Sequence, residues 1–128
     1  MKKRQTLEQI LLRAAEVMYP DRTPMVIGVH ARDSDGDTPL HKVALWGDRN
    51  AASLLLESGA EVDVEGDMGC TPLYFAVMGG HVATAELLLG LGADPDAQTR
   101  LGFTPRTLAL SQGKKSMIRL FKRYPKKC

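Results

Sequence analysis

The sequence predicts an all-α solenoid in which helix-turn-helix units stack side by side and hairpin-like loops connect them. The main observation is that the motif Gly36-Asp37-Thr38-Pro39-Leu40 returns around Thr71 and again around Thr104, 33 residues later each time. A fixed period of this size indicates stacked repeats. The second observation is the composition: 44% of the 128 residues are hydrophobic and 25% are charged, which is typical of one folded domain in water.

The N-terminal residues and the cysteines bear on the cellular compartment. No apolar run is long enough to span a bilayer, so we expect no membrane partner. Charged side chains interrupt residues 7–18, a pattern that indicates an amphipathic helix rather than a signal peptide. Cys70 and Cys128 are too few for a disulfide framework, which favours a reducing cytosol. We therefore expect a cytoplasmic protein, and we expect it to be monomeric when free.

The first predicted element is an N-terminal cap over residues 1–32, made of one helix and an extended connection. Thr6 and Gln9 have the spacing of a capping box, and apolar residues at helical spacing follow as far as Met18. Tyr19-Pro20 ends the helix, because the residue before a proline is pushed out of the helical region. We expect this helix to cover the open end of the stack.

Two full repeats follow, over residues 33–64 and 65–97. In the first repeat, Thr38 is the predicted N-cap of a short helix that Gly47 ends. A second helix is predicted from Arg49 to Ser58. The second repeat has the same plan, because each of these signals returns at the same spacing.

The last predicted element, over residues 98–124, is a degenerate C-terminal capping repeat. Arg106 stands where the earlier repeats have a leucine, so we expect the substitution Arg106→Leu to be neutral or stabilising. Its second helix combines apolar residues with a basic face. A terminal repeat needs this combination, because one of its sides is buried and the other is wet.

The motif Thr38-Pro39-Leu40-His41, with its period of 33, resembles the ankyrin-repeat family, and the resemblance covers roughly residues 33–124. It implies an ankyrin-repeat solenoid in which His41 and His81 hold structural positions, with each ring bridging loop backbones. It also implies a non-catalytic protein–protein interaction module. Together with Leu45-Trp46-Gly47-Asp48, the motif looks like small free-standing bacterial ankyrin proteins. Some of these are immunity or antidote proteins that neutralise a cognate toxin.

The residue patterns indicate neither catalysis nor a cofactor nor a metal site, so we expect that the protein is not an enzyme. Asp33-Ser34-Asp35-Gly36-Asp37 is acidic like a calcium loop. An EF-hand, however, needs Gly at its sixth position and Glu at its twelfth, where this chain has Thr38 and Ala44. The three histidines lie at no zinc-ligand spacing, and nothing is placed to activate Cys70.

The resemblance implies that a partner binds the concave surface, which the hairpin tips and the exposed sides of the first helices form. Several residues carried over to this surface are apolar, which favours an interaction patch. The alternative is that Trp46 and Met78 pack against the N-terminal cap or the next loop. Trp46, the one tryptophan, is the predicted hot spot. The predicted partner-binding residues are Ser34, Asp35, Asp37, Leu45, Trp46, Asp67, Met68, Cys70, Met78, Arg100, Leu101, Phe103, Ser111 and Gln112.

The net charge of +2 hides an uneven distribution. Residues 21–96 hold thirteen acidic and four basic side chains, whereas residues 97–128 hold nine basic and no acidic ones. The acidic tips predict a protein partner with a basic surface, such as a toxin that handles nucleic acid. The basic C-terminal end leaves an alternative open, a nucleic-acid-associated factor, although no recognition module accompanies the charge.

Overall fold

Helices make up the regular structure of the chain in the computed structural model, which describes residues 5–23, 25 and 27–126. A single 3₁₀ turn covers Asp67–Gly69, and these described ranges contain no strand. The all-α prediction is therefore confirmed. The helices are α1 (Leu7–Met18), α2 (Pro39–Trp46), α3 (Arg49–Glu57), α4 (Pro72–Met78), α5 (Val82–Gly90), α6 (Pro105–Gln112) and α7 (Lys115–Lys122).

The hairpin-like loops before α2, α4 and α6 are closed by one hydrogen bond that recurs in each repeat. In every case the backbone N–H of the first loop residue donates to the carbonyl four residues on. Backbone bonds of this kind fix the loop without a β-sheet. The bonds join Asp33 to Asp37 (3.0 Å), Gly66 to Cys70 (2.8 Å) and Thr99 to Phe103 (2.8 Å).

The helices stack in two rows, with α2, α4 and α6 in one and α3, α5 and α7 in the other. Helix α1 packs against α2 and α3. The apolar interior forms two adjoining clusters. One joins α1 to the first repeat and includes Ile10, Leu40, Val43 and Leu55. The other joins the second and third repeats and includes Leu73, Val77, Leu88, Met117 and Phe121.

The two structural histidines connect neighbouring repeats, as the resemblance implied. His41 Nδ1 accepts from the N–H of Thr38 (3.0 Å) and therefore carries no proton. Its Nε2–H donates to the carbonyl of Cys70 in the next hairpin (2.9 Å). Burial lowers the pKa of His41, which keeps this ring neutral. His81 reaches the other way, with Nε2 2.8 Å from the carbonyl oxygen of Leu45.

The helix boundaries agree closely with the sequence signals. Thr6 and Gln9 form the reciprocal capping box, with hydrogen bonds of 2.9 and 3.2 Å, and α1 ends at Met18. Thr71 caps α4 by accepting from the N–H of Tyr74. Helix α3 ends at Glu57, one residue before the predicted end.

Arg106 corrects the prediction for the third repeat. It is the counterpart of Leu73 one repeat earlier, and its guanidinium pairs with Asp96 through Nε (2.8 Å) and Nη2 (3.2 Å). It also donates to the carbonyls of Phe121 (3.0 Å) and Tyr124 at the C-terminal end of α7, where helix carbonyls lack intrahelical partners. The expectation that Arg106→Leu leaves the stability unchanged is therefore wrong. The substitution would remove the contacts by which Arg106 holds the end of α7.

Candidate functional site

The hairpin tips of the three repeats are joined into one row by hydrogen bonds between neighbours. The N–H of Asp67 in the second hairpin donates to Asp37 Oδ1 in the first (2.8 Å). The N–H of Arg100 in the third hairpin donates to the carbonyl of Met68 in the second (2.9 Å). A side chain at Gly66 would collide with the Asp37 carboxylate, so the close approach of the first two hairpins requires glycine there.

The acidic first hairpin is organised by Asp33, and Lys42 lies where a cation would have to bind. The Asp33 carboxylate accepts from the N–H groups of Asp35 and Asp37, both at 3.0 Å. Lys42 Nζ lies 3.0 Å from Asp33 and 3.3 Å from Asp37. Burial alone would raise the pKa of Asp33, but the bonds from Lys42 and the backbone outweigh it and lower the pKa. Lys42 thus offsets part of the negative charge of the loop, and Asp35 remains without an ion pair among the described residues.

Two of the predicted partner-binding side chains are not available to a partner. Asp37 and Cys70 are both buried. Asp37 serves the fold instead, because it pairs with Lys42 and accepts from Asp67. Burial, with the charges of Asp67 and Asp37 as further causes, raises the pKa of the Cys70 thiol, so that thiol is protonated and unreactive at neutral pH. The expectation that these two residues face the partner is wrong.

Trp46, the predicted hot spot, is held by the N-terminal helix. The guanidinium of Arg13 in α1 lies over the indole ring, 4.2 Å from its centroid. The same Arg13 pairs with Asp48, just beyond the end of α2 (3.1 Å). Trp46 is half-buried and packs against the cluster that joins α1 to the first repeat. The alternative stated for Trp46, packing against the cap, is the one the structure favours.

The other predicted residues are exposed, and five of them are large and apolar. Leu45 and Met78 lie at the ends of α2 and α4, and Gln112 Nε2 donates to the Met78 carbonyl (3.2 Å), which brings the end of α6 alongside. Leu101 is the most exposed of the five, at 69%. The exposed predicted residues are Ser34, Asp35, Leu45, Asp67, Met68, Met78, Arg100, Leu101, Phe103, Ser111 and Gln112. Their role in binding remains a prediction.

Met68 combines exposure with an unfavourable backbone conformation. Its φ of 56° and ψ of 24° lie in the left-handed region, and it is the one non-glycine residue in the described ranges with positive φ. This conformation costs a residue with a Cβ about 1–2 kcal/mol. Such outliers concentrate at functional sites, where the surrounding structure holds them in place. Met68 therefore gains weight as a binding residue.

The charge of the tip row changes sign along the stack. Asp35, Glu65 and Asp67 make the first two hairpins acidic, whereas the third carries Arg100. Beside the tips, a cleft of about 500 Å³ is lined by Asp35, Glu61, Asp63 and Glu65 together with Arg32 and Arg100. Burial and the nearby charge of Asp94 raise the pKa of Asp63. A cationic surface would therefore be attracted to the N-terminal part of the row.

Sequence reasoning missed the exposure of Leu110 in the last repeat and the side chain that covers Trp46. Leu110 in α6 is 57% exposed, although Val77, 33 residues earlier, is fully buried. The 33-residue period alone assigns Leu110 to the position of Val77 in the last repeat, where no further repeat covers it among the described residues. Its exposure could therefore have been predicted. The stacking of Arg13 on Trp46 had no such signal, because it joins the N-terminal helix to the first repeat and the period relates only the repeats to one another.

The described residues contain no group of three His, Cys, Asp or Glu side chains placed to hold a metal ion. None of their helices is long and apolar enough to cross a bilayer.

Two models of repeat families match the chain. The model for ankyrin repeats in three copies matches residues 9–99, and one for ankyrin repeats in many copies matches residues 78–121. The matched stretch begins inside α1 and ends inside α7. No curated protein matches the chain.

Proposed function

The chain belongs to the ankyrin-repeat family of protein–protein interaction modules, and from this premise we propose that its concave surface binds a basic protein. We define the concave surface by Leu45 and Met78 on the first helices, Met68 and Leu101 on the hairpin tips, and the acidic residues beside them. These side chains lie on elements that pack as neighbours, α2 on α4 and the second hairpin on the third.

The single observation that carries this proposal is the set of large apolar side chains left exposed on that surface. Leu101, Met78, Met68 and Leu45 are each more than one-third exposed. Scattered apolar residues on a surface need no explanation, but those grouped on one face mark interaction sites. Burying one Leu or Met side chain contributes about 1.5–3 kcal/mol. Two or three such contacts are enough for the centre of a specific interface.

The acidic rim determines the kind of protein that fits. Asp35, Glu65 and Asp67 are exposed on the first two hairpins and have no basic partner within ion-pair distance among the described residues. Uncompensated charges of one sign favour a partner of the opposite sign. They act mainly on the association rate, which then falls as salt rises.

The specific form of the proposal is an immunity or antidote protein that covers a cationic cleft on a cognate toxin. A toxin that cuts or modifies nucleic acid needs a cationic cleft for phosphates. Carboxylates on the hairpin tips would lie where the phosphates bind, and the apolar residues would hold the complex together. Inhibition would then follow from occlusion alone, without any chemistry on either protein.

Binding kinetics of the protein with its cationic partner, measured at two salt concentrations, test the proposal. Asp35→Asn with Asp67→Asn should slow association and weaken its salt dependence. Leu101→Ser should speed dissociation by about tenfold or more, as expected for a buried anchor. Leu91→Ser is the matched control, because Leu91 is also exposed but follows α5 in the other helix row.

Two results would contradict the proposal. The first is association that does not depend on salt, which would remove the role of the acidic rim. The second is equal loss of affinity in Leu91→Ser and Leu101→Ser, which would show that the concave surface is not the interface. For the immunity form, cells that carry the toxin should survive with the wild-type chain and die with Leu101→Ser combined with Met68→Ser.

A further inference from the structure

The outer face of the third repeat, which points away from the second repeat, exposes residues whose counterparts are buried. Phe103 is 54% exposed. Its counterparts in the first two repeats are Asp37 and Cys70, and both are buried. Asp37 contacts the next hairpin directly through the N–H of Asp67. Phe103 therefore lies at a position that the following hairpin covers in the other repeats.

Leu110 on α6, the first helix of the third repeat, is likewise exposed where its counterparts are buried. Its counterparts Ala44 and Val77 have no exposed surface. Ala44 belongs to the first repeat but packs in the cluster of the second and third repeats, so this position faces the next unit of the stack. Leu110 and Phe103 are thus two large apolar side chains on a stacking face without a covering unit among the described residues.

The second helix presents positive charge at the same face. Lys122 is the counterpart of Leu56 and Leu89, and Leu56 packs against the next repeat. Lys115, Arg119 and Lys122 are exposed, and none has a carboxylate within ion-pair distance among the described residues. By contrast, Arg123, which follows α7, pairs with Glu86 (3.2 Å).

We propose that this end face, defined by Phe103, Leu110, Lys122 and the basic residues of α7, docks an acidic amphipathic helix of a protein partner. The apolar side of that helix covers Phe103 and Leu110, as α6 covers Val77 inside the stack. Its acidic side meets Lys115, Arg119 and Lys122. Burial of two large apolar residues provides the affinity, and charge complementarity provides the orientation.

Other occupants fit this face less well. A second copy stacked through the same face would bring two sets of lysine and arginine together, which is repulsive. Nucleic acid would satisfy the charges, but phosphates and riboses would leave Phe103 and Leu110 without an apolar partner. The end face is basic, whereas the N-terminal part of the concave surface is acidic. The proposal assigns Phe103 to the end face and not to the concave surface, for which the sequence had suggested it.

Fluorescence anisotropy with a labelled synthetic peptide tests the proposal. The probe is a short amphipathic helix of leucine and glutamate, and it is compared with a peptide of the same composition in scrambled order and with a short DNA duplex. We expect the amphipathic probe to bind more tightly than both. Phe103→Ser with Leu110→Ser should weaken binding by about tenfold or more. Arg119→Glu with Lys122→Glu should weaken it further and remove its salt dependence.

Val17→Ser is the matched control, since Val17 is exposed on α1 at the opposite end of the stack and its loss should leave probe binding unchanged. The urea midpoint of each variant shows whether it is folded. Equal binding of the scrambled peptide would overturn the proposal by leaving charge as the whole cause, and tighter binding of the duplex would assign the face to nucleic acid. Affinity that is indifferent to Phe103 and Leu110 would also overturn it.

Discussion

The second and third repeats follow one sequence plan but differ in what covers them. In the second repeat, Leu73 and Val77 have no exposed surface, because repeats lie on both sides. In the third repeat, Arg106 corresponds to Leu73 and forms an ion pair with Asp96. Leu110 corresponds to Val77 and is exposed. An apolar side chain at this position therefore stabilises the fold when a repeat lies on each side of it. In the last repeat of the stack, an apolar side chain at the same position is exposed and available for binding.

In the third repeat, hydrogen bonds and an ion pair of Arg106 take the place of the buried leucine. Arg106 joins Asp96 to the carbonyls of Phe121 and Tyr124, so one side chain connects the loop before α6 to the end of α7. Its guanidinium also lies over the Phe121 ring, 5.8 Å from the centroid. Arginine suits this place because its planar fork donates in several directions at once.

The largest expected effect comes from removing an interior leucine. Leu73→Ala should lower the free energy of unfolding by about 2–5 kcal/mol, because it leaves a cavity between two repeats. Leu110→Ala, the equivalent step in apolar volume on the uncovered face, should cost less than about 0.5 kcal/mol. Urea denaturation followed by circular dichroism measures both. Similar losses in the two variants would erase the distinction between interior and terminal positions.

Arg106→Leu should give the next largest effect, a loss of about 1–3 kcal/mol. It removes the Arg106 donors to the Asp96 carboxylate and the Tyr124 carbonyl, and it leaves the Phe121 carbonyl with the N–H of Tyr124 alone. Arg106→Lys is the control, since it keeps the charge but loses the fork. It should recover only part of the stability. If Arg106→Leu instead stabilises the protein, the third repeat prefers the plan of the second, and the contacts of Arg106 do not hold α7.

Removing the N-cap of α4 in the second repeat should lower the free energy of unfolding by a still smaller amount. Thr71→Val removes the acceptor of the Tyr74 N–H and should cost about 1 kcal/mol. Thr71→Ser retains the hydroxyl and should remain close to wild type. A thermal scan of the three proteins decides the matter, and equal melting temperatures for Val and Ser would show that the cap bond contributes nothing.

His41 should make the stability of the first repeat depend on pH, and the third repeat has no such residue at the corresponding position. Because burial lowers the pKa of His41 below its usual 6.5, the unfolded chain binds a proton more readily than the folded one. Stability from this residue is therefore complete above about pH 6.5 and declines as pH falls toward the folded pKa. His41→Gln should flatten this decline in urea unfolding measured between neutral and mildly acidic pH. An unchanged decline would place its origin in another group. The third repeat has Thr107 at this position, which does not titrate.

Features that depend on one repeat at a time could be predicted from the sequence. The period, the Thr-Pro helix starts and the glycine helix ends gave the helices almost to the residue, because each signal acts on its own few neighbours. Asp37, Trp46 and Arg106 could not be placed in this way. Their environments depend on Asp67, Arg13 and Asp96 respectively, which come from other loops or helices. The sequence therefore located the exposed hairpin tips, but it did not foresee that Asp37 is buried and that Arg13 covers Trp46.

The most direct measurement for the account is the free energy of unfolding of the double variant Met68→Gly with Leu101→Ser. If these exposed side chains serve binding, the variant should be as stable as the wild type within about 0.5 kcal/mol, because glycine also relieves the left-handed backbone at residue 68. Urea denaturation of the two proteins side by side gives the answer. A loss of 2 kcal/mol or more, of the size expected for Leu73→Ala, would show that Met68 and Leu101 hold the fold together, and would contradict their assignment to a binding surface.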